Sequence, residues 1–252
     1  METAEGVGRI IFDRERQKNA FALEMYAGYA AALSELDQND QVMVIVVSGE
    51  GADFCAGNDL EDFIDPEFEL ETFGDPAHSA PARAVHALAN LGKPLLGAVE
   101  GWAIGFGATM LLHFDYVALA ENSQLLYPFV DIGIVPEAGA SVLLGAQVGR
   151  RKAIEMLLDP KPVPSAKALE LGLASTQTPA GEALTHVLEV AQRWAARPVP
   201  AMTRAKALLK GDVDALRQRI DEEFRQMGAS LLEPSTQQRL RAMHKRSSGS
   251  HK

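Results

Sequence analysis

An α/β fold with crossover connections is predicted by three features of this chain. Short apolar runs that suit strands alternate with amphipathic helical stretches. Two glycine-rich segments each follow such a run, and helical patterns take over from about residue 137. The 252 residues, 47% of them hydrophobic and 23% charged, fit one large soluble domain with a sizeable core.

The elements follow in order. Val7–Phe12 reads as an opening strand. Met25, Tyr29, Ala32, Leu33 and Leu36 share one face of an amphipathic helix over about 22–37. Val42–Val47 is continuous and β-branched, as in a strand covered on both faces, and Ser48–Gly51 ends it. The stretch from Glu61 to about Pro81 holds prolines and the acidic run Glu61, Asp62, Asp65, Glu67, Glu69 and Glu71 without a sustained period, and reads as a loop. A helix near 82–91 precedes a strand over Pro94–Val99. Gly101–Thr109 then leads into a buried helix at Thr109–Leu112. Asp115–Ala120 and Gln124–Tyr127 are further strands. Val213, Leu216, Ile220, Phe224, Met227 and Leu231 form an apolar stripe on the last major helix. It is expected to pack on its own core or on a neighbouring subunit.

Bulk properties exclude several functions. A formal charge of −10 opposes a nucleic-acid surface. The basic group Arg239, Arg241, Lys245 and Arg246 reads as a solvated helix face. The single cysteine, Cys55, precludes an internal disulfide and fits a reducing compartment. No apolar run is long enough to span a bilayer. The first residues are acidic where a targeting peptide would be basic, and Ser250-His251-Lys252 is not a peroxisomal address. A cytoplasmic location is the expectation.

Chemistry is expected at the two glycine segments, Phe54–Leu60 and Gly101–Thr109. Glycines at a strand-to-helix junction admit close approach of a ligand, and the first helical N–H groups lack intrahelical partners. If the preceding strands lie side by side, the N–H groups of Cys55 and Phe106 converge on one oxygen. Acyl transfer and enolate chemistry both need donors where charge moves onto a carbonyl oxygen, and losing one costs roughly 3 kcal/mol.

Phe54-Cys55-Ala56-Gly57-Asn58-Asp59-Leu60, Gly101–Gly107 and Phe114–Ala120 resemble the enoyl-CoA hydratase/isomerase (crotonase) superfamily. Lys18-Asn19-Ala20-Phe21 and the later Ala166, Leu169, Gly172, Leu173 pattern are similar too. The resemblance spans nearly the whole chain. It implies a core of repeated ββα units over 1–195, a C-terminal helical trimerisation region over 196–246 and a disordered tail over 247–252. It also implies an acyl-CoA thioester substrate and a homotrimer or dimer of trimers. Neither a metal nor an organic cofactor is implied, coenzyme A being part of the substrate. By the same resemblance Cys55 and Phe106 supply the oxyanion N–H groups. Ala20, Phe21, Ala56, Gly57, Asn58, Asp59 and Leu60 line the CoA path.

The two glutamates of the family's hydratases fall here on Thr109 and Phe129, neither of which can act as a base. A carboxylate stands instead at Glu137, after Pro136, similar to the peroxisomal-type Δ3,Δ2-enoyl-CoA isomerases. That reaction needs one base to take an α-proton and return it to the γ-carbon. On pattern alone, Glu137 is an acid in a helical first turn that offsets the dipole. A hydratase using Asp131 with Glu137, and a silent acyl-CoA binder, are the rivals; Asp131 reads more simply as a turn residue. Cys55 reads as a small buried side chain, His86 and His113 as packed, and Asp59 and Asp115 as caps or turn braces. Phe106 stands where hydratases commonly carry glycine, so its ring must leave the pocket or narrow it.

Overall fold

The computed structural model describes residues 1–59 and 79–249. Leu60 and the acidic run from Glu61 to Glu71 lie outside the described residues. Six strands form the main sheet: β1 (Glu2–Ala4), β2 (Val7–Phe12), β3 (Val44–Gly49), β4 (Leu95–Val99), β6 (Tyr116–Ala120) and β9 (Thr176–Thr178). From β2 onward every pairing is parallel, with Val47 opposite Gly97 and Gly97 opposite Val117; β1 pairs antiparallel at the edge.

The continuous apolar character of β3 has a direct explanation. Its Ile45 and Val47 point into one hydrophobic core, while Val44 and Val46 point into a second on the opposite face. Helix α1 (Leu23–Gln38), through Tyr29, Leu33 and Leu36, and helix α2 (Ala80–Asn90), through Val85 and Leu88, fill the first. Helix α8 (Ala183–Ala195) covers the second with Val187, Val190 and Ala191. Each fully buried side chain of this size contributes about 1.5–3 kcal/mol, so both faces of the sheet stabilise it.

A smaller three-stranded sheet is built from β5 (Trp102–Ile104), β7 (Gln124–Leu126) and β8 (Val163–Pro164). Isolated bridges extend it, Cys55 pairing with Ala103 and Phe21 with Asn58. A long strand, a short one and a helix thus recur: β4, β5 and α3 (Phe106–Thr109), then β6, β7 and α4 (Phe129–Ile132). This is the repeated ββα core expected.

Three details differ from the sequence reading. Trp102–Ile104, inside the glycine-rich segment, is itself a strand, because it is paired on both sides. The helix expected from Thr109 begins earlier, at Phe106, and tightens to a 3-10 turn over Met110–His113. At the end of the chain a helix runs Pro234–Gly249, past residue 246, and residues 250–252 lie outside the described residues.

Helices α5 (Ala140–Val148), α6 (Arg150–Leu158) and α7 (Ser165–Glu170) follow the second repeat, and α9 (Val199–Lys210), α10 (Val213–Leu231) and α11 (Pro234–Gly249) close the chain. Of the two outcomes expected for the apolar stripe, the structure shows the first. Ile220, Phe224, Met227 and Leu231 of α10 are buried in the chain's own main core. Asp212 starts that helix by accepting the Ala215 N–H at 2.9 Å. Helix α9 is held differently. Its Lys206 reaches the Lys93 carbonyl and the Asp115 carboxylate, both at 2.6 Å, and Lys210 caps the end of α2 at the Ala89 and Leu91 carbonyls. Asp115 also accepts the Leu95 N–H, the turn-bracing part expected of it.

Candidate active site

The two glycine segments do lie side by side, and close contact explains their composition. A Cβ on Gly107 would stand 2.4 Å from the Cys55 carbonyl oxygen, and one on Gly57 would stand 2.7 Å from that of Ile104. Gly57 also has φ +88°, which favours glycine.

That same pairing corrects the expected oxyanion donors. The Cys55 N–H already donates to the Trp102 carbonyl at 3.0 Å, and Ile104 N–H to the Cys55 carbonyl at 2.9 Å. An amide inside a ladder is not available to a ligand. Beyond it Ala56, Gly57 and Gly105 are engaged, and the first amides without an acceptor among the described residues are those of Asn58 on one segment and Phe106 on the other. Phe106 opens α3, where an N–H has no intrahelical partner. Sequence reasoning placed Asn58 on the CoA path and missed its free amide. The usable signal was the ladder itself, which engages the residues flanking each bridge and releases the amides past its end.

The Phe106 ring turns away from the amide. It is fully buried, edge-on to Phe21 at 5.0 Å and tilted on Tyr26 at 4.9 Å, in a cluster with Phe12, Tyr29 and Phe54. The Asn58 side chain is held by the Tyr26 hydroxyl. Cys55 is buried, accepts the Gly57 N–H at 3.4 Å, and burial pushes its thiol up to about 12. A neutral thiol of this kind is inert, as expected from the sequence.

Glu137 is 2% exposed and its Oε1 accepts the Thr109 hydroxyl at 2.6 Å. The same hydroxyl lies 3.3 Å from the Phe106 carbonyl, so one side chain links the acid to the amide-bearing turn. Burial pushes the Glu137 carboxyl up to about 8, with the Thr109 hydrogen bond opposing and the Glu223 charge adding to the rise. The acid stands just before helix α5, not in its first turn. Ala138 and Gly139 separate it from the helix in left-handed conformations, with φ of +60° and +73°. Phe129 is buried and Asp131 is exposed, as a turn residue would be. Glu137 is thus the buried carboxyl bonded to the turn that carries Phe106, whereas Asp131 stands exposed.

The remaining expected residues divide. Lys18 and Asn19 take left-handed conformations. The Asn19 side chain donates to the Glu50 and Asp53 carbonyls, and the Lys18 carbonyl accepts the Ala56 N–H. This brings Ala20 and Phe21 beside Ala56–Asp59. Arg14 ties the group together through the Ala20 carbonyl and the Asp59 carboxylate. Leu60 lies outside the described residues. His86 pairs with Asp221 at 2.7 Å, and His113 is held by the Ala138 carbonyl at 2.7 Å, burial pushing it down to about 4.

An α/β scaffold that aims free main-chain amides and one buried acid at a common turn defines a class of protein suited to chemistry next to a carbonyl. Residues 2–245 match the family model described as enoyl-CoA hydratase/isomerase, and the chain belongs to that family. Among curated proteins it is 34% identical over 190 residues to the enoyl-CoA hydratase ACTT3 of Alternaria alternata, covering 75% of this chain and 63% of that protein. It is 30% identical over 242 residues to 4-chlorobenzoyl coenzyme A dehalogenase-2 of an Arthrobacter species, covering 95% of this chain and 88% of that one. It is also 29% identical over 218 residues to enoyl-CoA delta isomerase 2 of Rattus norvegicus, covering 86% and 56%. Among solved structures, Pseudomonas aeruginosa OdaA superposes with a TM-score of 0.89 at 33% identity, over 96% of both chains. No helix among the described residues is long and apolar enough to cross a membrane.

Proposed function

We propose that the protein is an acyl-CoA isomerase that moves a 3-enoyl-CoA double bond to the 2-trans position. The observation that carries this reading is the buried Glu137 carboxyl, joined through Thr109 to the turn whose Phe106 amide is free. Ionised Glu137 takes a proton from the α-carbon. The electron pair moves onto the thioester oxygen, which the Phe106 and Asn58 amides hold as a dienolate. Glu137, now protonated, returns that proton to the γ-carbon, so no water and no cofactor is consumed.

Ala20, Phe21, Ala56, Gly57, Asp59 and Leu60 are proposed to line the CoA path, with Asn58 serving both path and oxyanion. The placement of Glu137 after Pro136 supports closeness to the peroxisomal-type isomerases, and the similarity to the rat delta isomerase is consistent with it. A homotrimer or dimer of trimers in the cytoplasm completes the reading. The test is conversion of 3-enoyl-CoA followed by the rise of conjugated-thioester absorbance. Glu137→Gln is expected to abolish it and also to stop α-proton exchange in heavy water. Undiminished exchange in that variant overturns the assignment of the base.

A further inference from the structure

We infer that Glu223 is a positioning residue: from helix α10 its carboxylate clamps the turn carrying Glu137, so that helix fixes where the acid stands. The turn has two consecutive left-handed residues, Ala138 and Gly139. A non-glycine residue in that conformation is strained and persists only where its surroundings hold it. Glu223 Oε2 accepts the Gly139 N–H at 2.6 Å and Oε1 the Ser141 N–H at 2.9 Å, from more than eighty residues away. It is 5% exposed and has no ion-pair partner among the described residues. Its charge is met by two amides at the start of α5, where the helix dipole favours an anion. The same face of α10 presses on the turn, since a Cβ on Gly139 would stand 2.8 Å from Leu216. His113 fixes the Ala138 carbonyl from the other side.

The groups that set ionisation here are few. Thr109 and Glu223 act on Glu137, whose charge in turn acts on Cys55; Ser141, Gly139 and Arg219 act on Glu223; Lys206 and Lys210 act on His113. Removing the Glu223 charge therefore eases ionisation of Glu137.

The kinetic half of the test rests on the isomerase reading, and the spectroscopic half does not. The Glu137 side-chain carboxyl is followed by carbon NMR in the free full-length protein carrying 13C-glutamate, its signal assigned by its loss in Glu137→Gln. In Glu223→Gln the Glu137 titration midpoint is expected to move to lower pH. In Glu223→Asp, which keeps the charge but shortens the reach, the Gly139 and Ser141 amide signals are expected to shift. Its kcat on 3-enoyl-CoA is expected to fall at least about tenfold with KM within about twofold. Wild-type midpoint, amide signals and kcat in these variants overturn the proposal, as does a loss confined to thermal stability. If Glu223→Gln does not fold, the Asp variant decides by its amide signals and kcat. If the wild type lacks isomerase activity, the proposed reaction fails while the carboxyl titration and amide signals still decide the clamp.

Discussion

Glu137→Gln should separate the acid's contribution to activity from its effect on stability. The Glu137 carboxyl moves from 4.5 to about 8 on burial. Its folded-state pKa is thus raised, the reverse of the usual salt-bridged carboxylate. Below pH 4.5 both folded and unfolded states hold the proton and the acid costs nothing. Between that point and about pH 8 the unfolded chain is ionised while the folded one is not, so stability falls as pH rises. At about 1.4 kcal/mol per pH unit the whole window is worth roughly 5 kcal/mol, and about 2 kcal/mol if the site relaxes on ionisation.

Glutamine keeps the shape and an acceptor oxygen for the Thr109 hydroxyl, and removes the ionisation. For a chain of this length about 2–4 °C of melting temperature follows each kcal/mol. At pH 9 the variant is expected to melt roughly 5–15 °C above wild type, and near pH 4 within a few degrees of it. Differential scanning calorimetry across that range, on wild type and variant in matched buffers, is the assay. Glu223, also pushed up by burial, is present in both proteins, and its repulsion of an ionised Glu137 adds to the difference between them. A gap that stays constant with pH, or a wild type that is the more stable at pH 9, refutes the claim that Glu137 is buried as a neutral acid.

Other expectations follow from the same geometry. The turnover of 3-enoyl-CoA by wild type should rise with pH through about 8, where Glu137 ionises, and then level; a flat profile from pH 6 to 9 tells against Glu137 as base. Thr109→Val removes the donor that favours the carboxylate, so the rising limb should move to higher pH and the rate at pH 7 should fall about tenfold. Gly107→Ala would drive a Cβ into the Cys55 carbonyl and should cost stability, read as a lower urea midpoint. Lys206→Met leaves the part-exposed Asp115 without its ion-pair partner and the Lys93 carbonyl without its donor, and should lower the urea midpoint in the same assay. Cys55 should resist iodoacetamide in the folded protein at pH 8 and react once unfolded.

What the sequence revealed and what it hid divide along physical lines. Val44–Val47 announced a doubly covered strand because every residue is apolar, and its alternate side chains do enter separate cores. The α10 stripe at 220, 224, 227 and 231 was equally plain, since burial leaves a helical period. The short strand Trp102–Ile104 was not, because pairing there depends on a distant segment at Cys55 and leaves no local signature. The free amide of Asn58 was missed for a related reason: which amide is free depends on where a ladder stops, and a ladder is a property of two segments. Glu223 bears no local mark in the sequence, and only the fold reveals that its carboxylate turns inward to Gly139.

Phe106 ties these threads together. A glycine at this position would leave the first turn of α3 free to shift, whereas the ring is locked against Phe21 and Tyr26. Phe21 is itself paired to Asn58, and Tyr26 holds the Asn58 side chain. The two free amides are therefore braced by one aromatic cluster, although they belong to segments about fifty residues apart in the chain. Preorganised donors need no reorientation as charge develops, which is where such sites gain most of their effect. Truncation of that ring to alanine should then loosen both donors together. The cost would fall on kcat, because the turn before α5 that carries the acid is bonded separately, to Glu223 and His113.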